Sequence, residues 1–260
     1  MQDEKPPSKL KGLAWLGVAI LLGVGFALGL SPLARMVPWS MEKRMASKMG
    51  KMLGGFSDLR ACSRPEGLES LRALVKRILP LYPEDSEFPL QITVVHGPVV
   101  NAFAALGGQI YVYDGLLRQT ESAEELAGVL AHEIEHVRRR HIIEGVILRL
   151  SFTGIFRLIL GDAGTSDPAI AAGLFNLQFS RHQEREADEG GLKRLRDAQV
   201  DNAGFRRFFE RLKNSSSVPA ILSDHPTNED RIQLITRYQT PSPQPVLSAD
   251  EWKHLRAICD

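Results

Sequence analysis

Apolar and polar positions along the chain change period three times, and each change predicts a different kind of element. From Gly12 to Ala34 no residue is charged, and Leu13 to Leu30 is almost entirely apolar. In helical form this run is long enough to cross a bilayer core of about 30 Å. A signal peptide is the competing reading. Its apolar region would span about 7–15 residues and end at a small-x-small cleavage site. The segment from Ser31 to Ser40 offers no such site, so residues 12–34 read as an uncleaved anchor behind a polar tail over residues 1–11. A helical period follows. Ser40 to Leu53 places Met41, Met45, Met49 and Met52 on one stripe, a face suited to a core or to a membrane surface or partner. Leu68 to Leu79 is a second amphipathic helix, stopped by Pro80 and Pro83.

The period then shortens to two. Gln91 to Val95 is β-branched and is broken by Pro98; Gln109 to Tyr113 alternates after Gly107-Gly108. Both read as strands. Thr120 or Ser122 can cap the next helix, about Ala123 to Arg140, with Glu124 and Glu125 in its first turn. Ile142 to Leu160 is strongly apolar, but Glu144, Arg149 and Arg157 interrupt it. Charges in lipid cost several kcal/mol, so this is expected to be a buried or membrane-facing amphipathic helix rather than a second span. Residues 161–168 read as a loop, Ala169 to Leu195 as a helix, and 214–217 as a linker between helices at Phe205 to Lys213 and Thr227 to Tyr238. Ser248 caps a last helix with Glu251 at its third position. The pattern predicts an α+β fold, mostly helical around a small β-sheet, over residues 40–240, with a tail over 241–260.

Composition narrows the function classes. The 260 residues carry 32 Lys and Arg against 31 Asp and Glu, a formal charge of +1. That balance supplies no basic field for nucleic acid. Lys5, Lys9 and Lys11 precede the apolar run, whereas Arg35, Lys43, Arg44, Lys48 and Lys51 follow it. The positive-inside rule thus leans slightly against export of the main domain. The two cysteines, Cys62 and Cys259, lean the other way. A bridge between them would join the two ends of the soluble part in an oxidising compartment; the alternative is two unrelated buried thiols. The reading adopted is a single-pass protein anchored N-terminus in, with its bulk outside the cytoplasm.

The chemistry centres on His132-Glu133-Ile134-Glu135-His136. On a helix, histidines four apart share a face and can share a tetrahedral metal. Glu133 lies beside the open position, where its carboxylate can take a proton from a water activated there. A lone H-E-x-x-H is a weak signal, so a third ligand matters. His141 follows His132 by nine residues, not the ten of the long metzincin pattern, and is expected at a helix cap or on the surface. Glu184 is better placed. It shares a helix face with Asp188 at i, i+4, so Glu184 can complete a His, His, Glu set while Asp188 accepts the second ring N–H of a ligand histidine. The bland alternative for the surrounding Arg/Glu mixture is a solvated face laced with ion pairs.

Those motifs, with Asn101-Ala-Phe-Ala, Gly107-Gly-Gln-Ile-Tyr-Val-Tyr113 and Ser180-Arg-His-Gln-Glu-Arg-Glu-Ala-Asp188, resemble the membrane-associated metallopeptidases of the HtpX and CAAX prenyl protease group. The bacterial periplasmic and mitochondrial OMA-type branch is the nearer likeness, and it covers about Pro89 to Tyr238. The resemblance implies a zincin-like domain with one Zn²⁺ per chain, held by His132, His136 and Glu184 with Asp188 as companion. It implies an endopeptidase acting on unfolded or membrane-proximal proteins in quality control, with Gln109, Ile110, Tyr111, Val112 and Tyr113 as the edge strand that holds extended substrate. The segment from Ser223 to Ile232 resembles the family's H-P…R-I element. In it His225 is either a displaceable fourth ligand, a donor to the transition state or a turn residue. Arg231 either neutralises an oxyanion, pairs with a carboxylate or is structural. Glu135 departs from the small residue usual there, and a single anchor makes a prenyl-peptide substrate inside the bilayer a poor fit. A second class remains open: a membrane-anchored chaperone or scaffold that binds unfolded segments around a structural zinc.

Overall fold

The computed structural model describes residues 34, 36–53, 59–149, 179–213, 220–221, 225 and 229–260. The anchor expected over 12–34 lies outside them except for Ala34, as do the 161–168 loop, the 214–217 linker and much of the apolar stretch after Arg149. Among the described residues no helix is long and apolar enough to cross a membrane.

The chain opens with α1 (Trp39–Leu53) and α2 (Pro65–Ile78), followed by a 3₁₀ turn at Pro83–Ser86. Three strands come next: β1 (Gln91–Val95), β2 (Ala102–Ala105) and β3 (Gln109–Tyr113). Then come α3 (Asp114–Gln119), α4 (Ala123–Arg138), α5 (His141–Arg149), α6 (Arg181–Asp197), α7 (Ala203–Lys213), α8 (Glu229–Arg237) and α9 (Ala249–Arg256). The expected α+β class holds, mostly helical with a three-stranded sheet. On α1, Met45 is buried and Met41 packs against the core, so those two methionines serve packing.

Sheet order is β1-β3-β2, with β3 parallel to β1 and antiparallel to β2. This corrects one expectation. Gln109–Tyr113 is the central strand, paired on both sides, and cannot offer its edge to a substrate. The edges belong to β1, which the segment at 60–62 bridges near Val95, and to β2, which lies beside α4. That strand escaped sequence reading because Ala102-Phe-Ala-Ala105 lacks the β-branched alternation that marks a strand. Ile110, Val112, Ala102 and Ala104 bury one sheet face, and β2 packs against α4. On the opposite face Phe103 stacks with Tyr111 at 5.4 Å.

Helix α4 is buried along nearly its whole length. Ser122 starts it by accepting the Glu125 N–H. Against it lies α6, which begins at Arg181, not in the continuous helix expected from Ala169. Ser180 and Gln183 form a capping box there, satisfying orphan N–H groups at a new N-terminus. Gly190 and Gly191 let the two helices close up. A Cβ on Gly191 would stand 3.1 Å from the backbone of Ala131 and His132, and one on Gly190 would strike the Glu135 carboxylate. At the far end, α9 packs on α2, and Cys62 and Cys259 are joined as a disulfide with a Cα–Cα distance of 4.7 Å.

Candidate metal centre

Three helices and one loop residue build the site. Helix α4 brings His132, Glu133 and His136; α6 brings Glu184 and Asp188; His225 arrives from the segment before α8, which itself supplies Arg231. All seven side chains are buried. His132 Nε2 lies 3.0 Å from His136 Nε2 and 3.1 Å from His225 Nδ1. Glu184 Oε1 lies 3.0 Å from His225 Nδ1 and 3.4 Å from His136 Nε2, and its Oε2 lies 3.6 Å from His132 Nε2. His132, His136, Glu184 and His225 thus form a group able to hold a metal ion.

Their spacing can be tested against a metal. Four donors at about 2.0–2.1 Å from a central zinc stand about 3.3–3.4 Å apart at the corners of a tetrahedron. The observed separations straddle that edge. The chemistry of the donors agrees. His132 Nδ1 donates to Asp188 Oδ1 at 2.8 Å, so its Nε2 presents a lone pair to the cluster. An imidazole lone pair, a second histidine and a carboxylate converging in a buried space repel one another unless a cation neutralises them. The residues fit zinc.

Glu133 sits beside this group. Its Oε2 accepts the Ala104 N–H of β2 at 2.9 Å, and its Oε1 lies 3.4 Å from His225 Nε2. His225 therefore stands between the carboxylate expected to act as base and the donor cluster. Burial pushes the Glu133 carboxyl upward, outweighing the nearby histidines. Burial also drives His136 well below the usual imidazole value. For Glu184 burial opposes ionisation, but hydrogen bonds with His136 and His225 hold it far below the carboxylate range. Burial pulls His225 down too; among protein groups alone, Glu133 and Glu184 overcome it and raise His225 to about 9.

Behind the cluster the two α4 histidines have unlike supports. Asp188, which holds His132, is itself held by Arg231 Nε at 2.6 Å, and Arg231 Nη2 reaches Glu184 Oε2 at 3.2 Å. Arg231 thus pairs with carboxylates. His136 Nδ1 meets His141 Nδ1 at 3.0 Å, and His141 Nε2 faces Glu186 at 3.4 Å. His141 is buried, not a capping or surface residue as its spacing suggested. Arg140, with φ of 67°, reverses the chain after α4 and turns His141 back toward it. No glycine in Arg138-Arg-Arg-His141 flags that turn, so local sequence carries little sign of it. Burial lowers the His141 ring to about 4, against the pull of Glu186.

Glu135 has a structural role that its place in the motif does not announce. It is fully buried and is gripped by Arg138 and Arg139 on its own helix and by Arg194 of α6 at 3.0 Å. Arg194, fully buried, also binds Asp85 through both oxygens at 2.8 and 2.9 Å. The i+3 and i+4 arginines were a visible signal; the long-range partner was not. Burial works against both carboxylates, yet the arginines hold Glu135 and Asp85 below their ordinary values.

Comparison with known proteins agrees with this geometry. Residues 69–239 match the profile described as Peptidase family M48. The chain is 29% identical over 182 residues to the beta-barrel assembly-enhancing protease of Yersinia pestis, covering 63% of this chain and 37% of that protein. It is 34% identical over 151 residues to the mitochondrial metalloendopeptidase OMA1 of Arabidopsis thaliana, covering 56% and 31%. The match to OMA1 of Schizosaccharomyces pombe is 28% over 211 residues, covering 78% and 62%. The chain thus spans about a third of the first two relatives. With a profile match across most of its length and both ligand-bearing helices inside it, the chain belongs to Peptidase family M48.

Proposed function

We propose that this chain is a zinc-dependent endopeptidase in which His132, His136 and Glu184 hold the metal and Glu133 is the general base. The observation that carries the reading is the convergence of those three donors at tetrahedral spacing with the buried Glu133 carboxylate alongside. Zinc, when bound, polarises a peptide carbonyl and acidifies water. Glu133 Oε1 then takes the proton of the attacking water and delivers it to the departing amine nitrogen, while the Ala104 N–H keeps Oε2 in place. Asp188 fixes the His132 tautomer. Arg231 balances the charge of Asp188 and Glu184 rather than that of an oxyanion. Glu133→Gln should keep zinc content unchanged and abolish casein cleavage; full activity in that variant sinks the mechanism.

Substrate backbone is expected along β2. The Ala102 N–H and C=O and the Ala104 C=O are directed away from β3, where an extended peptide can add as a strand, while the Ala104 N–H stays on Glu133. The same line is partly occupied, since Ile221 N–H donates to Val100 O and His225 N–H donates to Ile221 O. His225 would thus have to move for a peptide to enter. Its placement as a fourth protein donor also favours the second reading, a scaffold with structural zinc, because closed four-ligand sites are typically structural. Casein cleavage by His225→Ala separates the two: a gain over wild type marks a latent protease, and inactivity with full zinc supports the scaffold.

The names of the relatives, a beta-barrel assembly-enhancing protease and a mitochondrial metalloendopeptidase, support unfolded or membrane-proximal proteins as substrates in quality control. The apolar run over 12–34 and the Cys62–Cys259 pair support a single-pass inner-membrane location with the domain on the periplasmic side. Thiol labelling of intact protein with and without reductant tests this: free thiols before reduction would argue for the cytoplasm.

A further inference from the structure

The two α4 histidines differ in what stands behind them, and the difference assigns a role to His141. His132 backs onto a buried carboxylate, the common partner of a metal-ligating histidine. His136 Nδ1 backs onto another ring nitrogen, His141 Nδ1, at 3.0 Å. Two ring nitrogens at that distance share one proton, so one donates and the other accepts. His136 Nε2 points into the donor cluster, 3.0 Å from His132 Nε2 and 3.4 Å from Glu184. It needs its lone pair there, which puts the proton on Nδ1. His141 Nδ1 is then the acceptor, and its own proton sits on Nε2, facing Glu186 Oε2 at 3.4 Å. Arg139 holds Glu186 from the other side at 3.0 Å.

We infer that His141 is a positioning residue for the metal: by accepting the His136 Nδ1 proton it fixes the tautomer and in-plane rotation of that ligand. The inference rests on His136 being a ligand, as proposed above. Phe179 stacks on the His136 ring with centroids 3.9 Å apart, which sets the plane of the ring but leaves its rotation within that plane free. The bond to His141 supplies the missing restraint. Both histidines are buried, His136 at 0% and His141 at 2% exposure, so bulk water is not available as a substitute acceptor.

Zinc affinity by chelator competition, with the visible spectrum of the cobalt-substituted protein, tests this on three variants. His136→Ala should lose the site. His141→Leu, similar in size but without an acceptor, should bind zinc about 10–100-fold more weakly and shift the cobalt spectrum. His141→Asn places an amide oxygen near the Nδ1 position and should restore affinity to within about threefold of wild type. If His141→Leu binds as wild type while His136→Ala does not, the inference fails and the ligand reading survives. If His141→Asn is as weak as His141→Leu, packing rather than acceptance is the cause and the inference is overturned. Wild-type affinity in His136→Ala overturns the ligand reading itself.

Discussion

The flank of the centre behind His132 and the flank behind His136 solve one problem in two ways. Behind His132 the restraint is anionic, buried and charge-matched: Asp188 accepts from the ring and Arg231 neutralises Asp188. Behind His136 the restraint is a neutral ring, and the charge is displaced one step outward to Glu186, which is 31% exposed and also meets His182, exposed at 79%. An ion pair sealed from water is strong and intolerant, because removing one partner strands the other. A relay that ends near solvent lets water screen what it loses. The first flank is built to be rigid, and the second to tolerate change at its outer end.

Both flanks depend on α4 and α6 keeping their distance, so the largest expected effect lies in the clamp they share. Arg194→Met leaves Asp85 a buried carboxylate without its cation and Glu135 with Arg138 and Arg139 but no partner across the fold. Breaking a buried pair in this way costs about 3–5 kcal/mol, read as a fall in urea midpoint. Zinc affinity should fall with both histidines affected alike, erasing the asymmetry. A variant as stable as wild type would mean that the helices are held by packing alone.

The clamp also predicts a pH dependence. Asp85 and Glu135 have folded-state values below the ordinary carboxylate range, so the unfolded chain binds protons more readily. Their contribution is present in full above the unfolded carboxylate values near about 4 and is lost as pH falls through the lower folded values. The stability gap between wild type and Arg194→Met should therefore narrow on acidification from pH 6 toward pH 3. A gap that is constant with pH assigns the loss to shape, not charge.

These contrasts also show what the sequence could carry. His132, Glu133, His136, Glu184, Asp188, His225 and Arg231 were legible because helical spacing and a known motif set name them before any coordinates exist. Strands β1 and β3 were legible from alternation, and the last helix from Ser248 and Glu251. The restraints behind the site were not. His141 depends on a left-handed residue in a run of arginines, and the Glu135–Arg194–Asp85 clamp joins residues far apart in the chain. The strand at the site's rim, β2, was hidden by its alanines, and its place in the sheet took the edge role from β3. Local periodicity encodes elements, whereas partners across the fold depend on how those elements pack.

The next effect tests the sealed flank. Asp188→Ala removes the His132 acceptor and one of the two carboxylates that Arg231 binds. Zinc affinity should drop about 10–100-fold, with a fall in melting temperature that added zinc restores only in part. A small loss here, comparable to that of a change on the outer His136 flank, would remove the distinction between the two sides.

The smallest effect belongs to Glu186→Gln, the outer end of the open flank. The amide oxygen can still accept the His141 Nε2 proton, and partial exposure lets water screen the lost charge. Arg139 keeps its second carboxylate partner, Glu135, at 3.2 Å. Zinc affinity should change by less than about threefold, within the range of surface pairs worth about 0–1 kcal/mol. The comparison turns on this number being small while that for Asp188→Ala is large. If Glu186→Gln instead costs as much as Asp188→Ala, the charge of Glu186 is felt through His141 at the metal, and the two flanks are electrostatic equals that differ only in length.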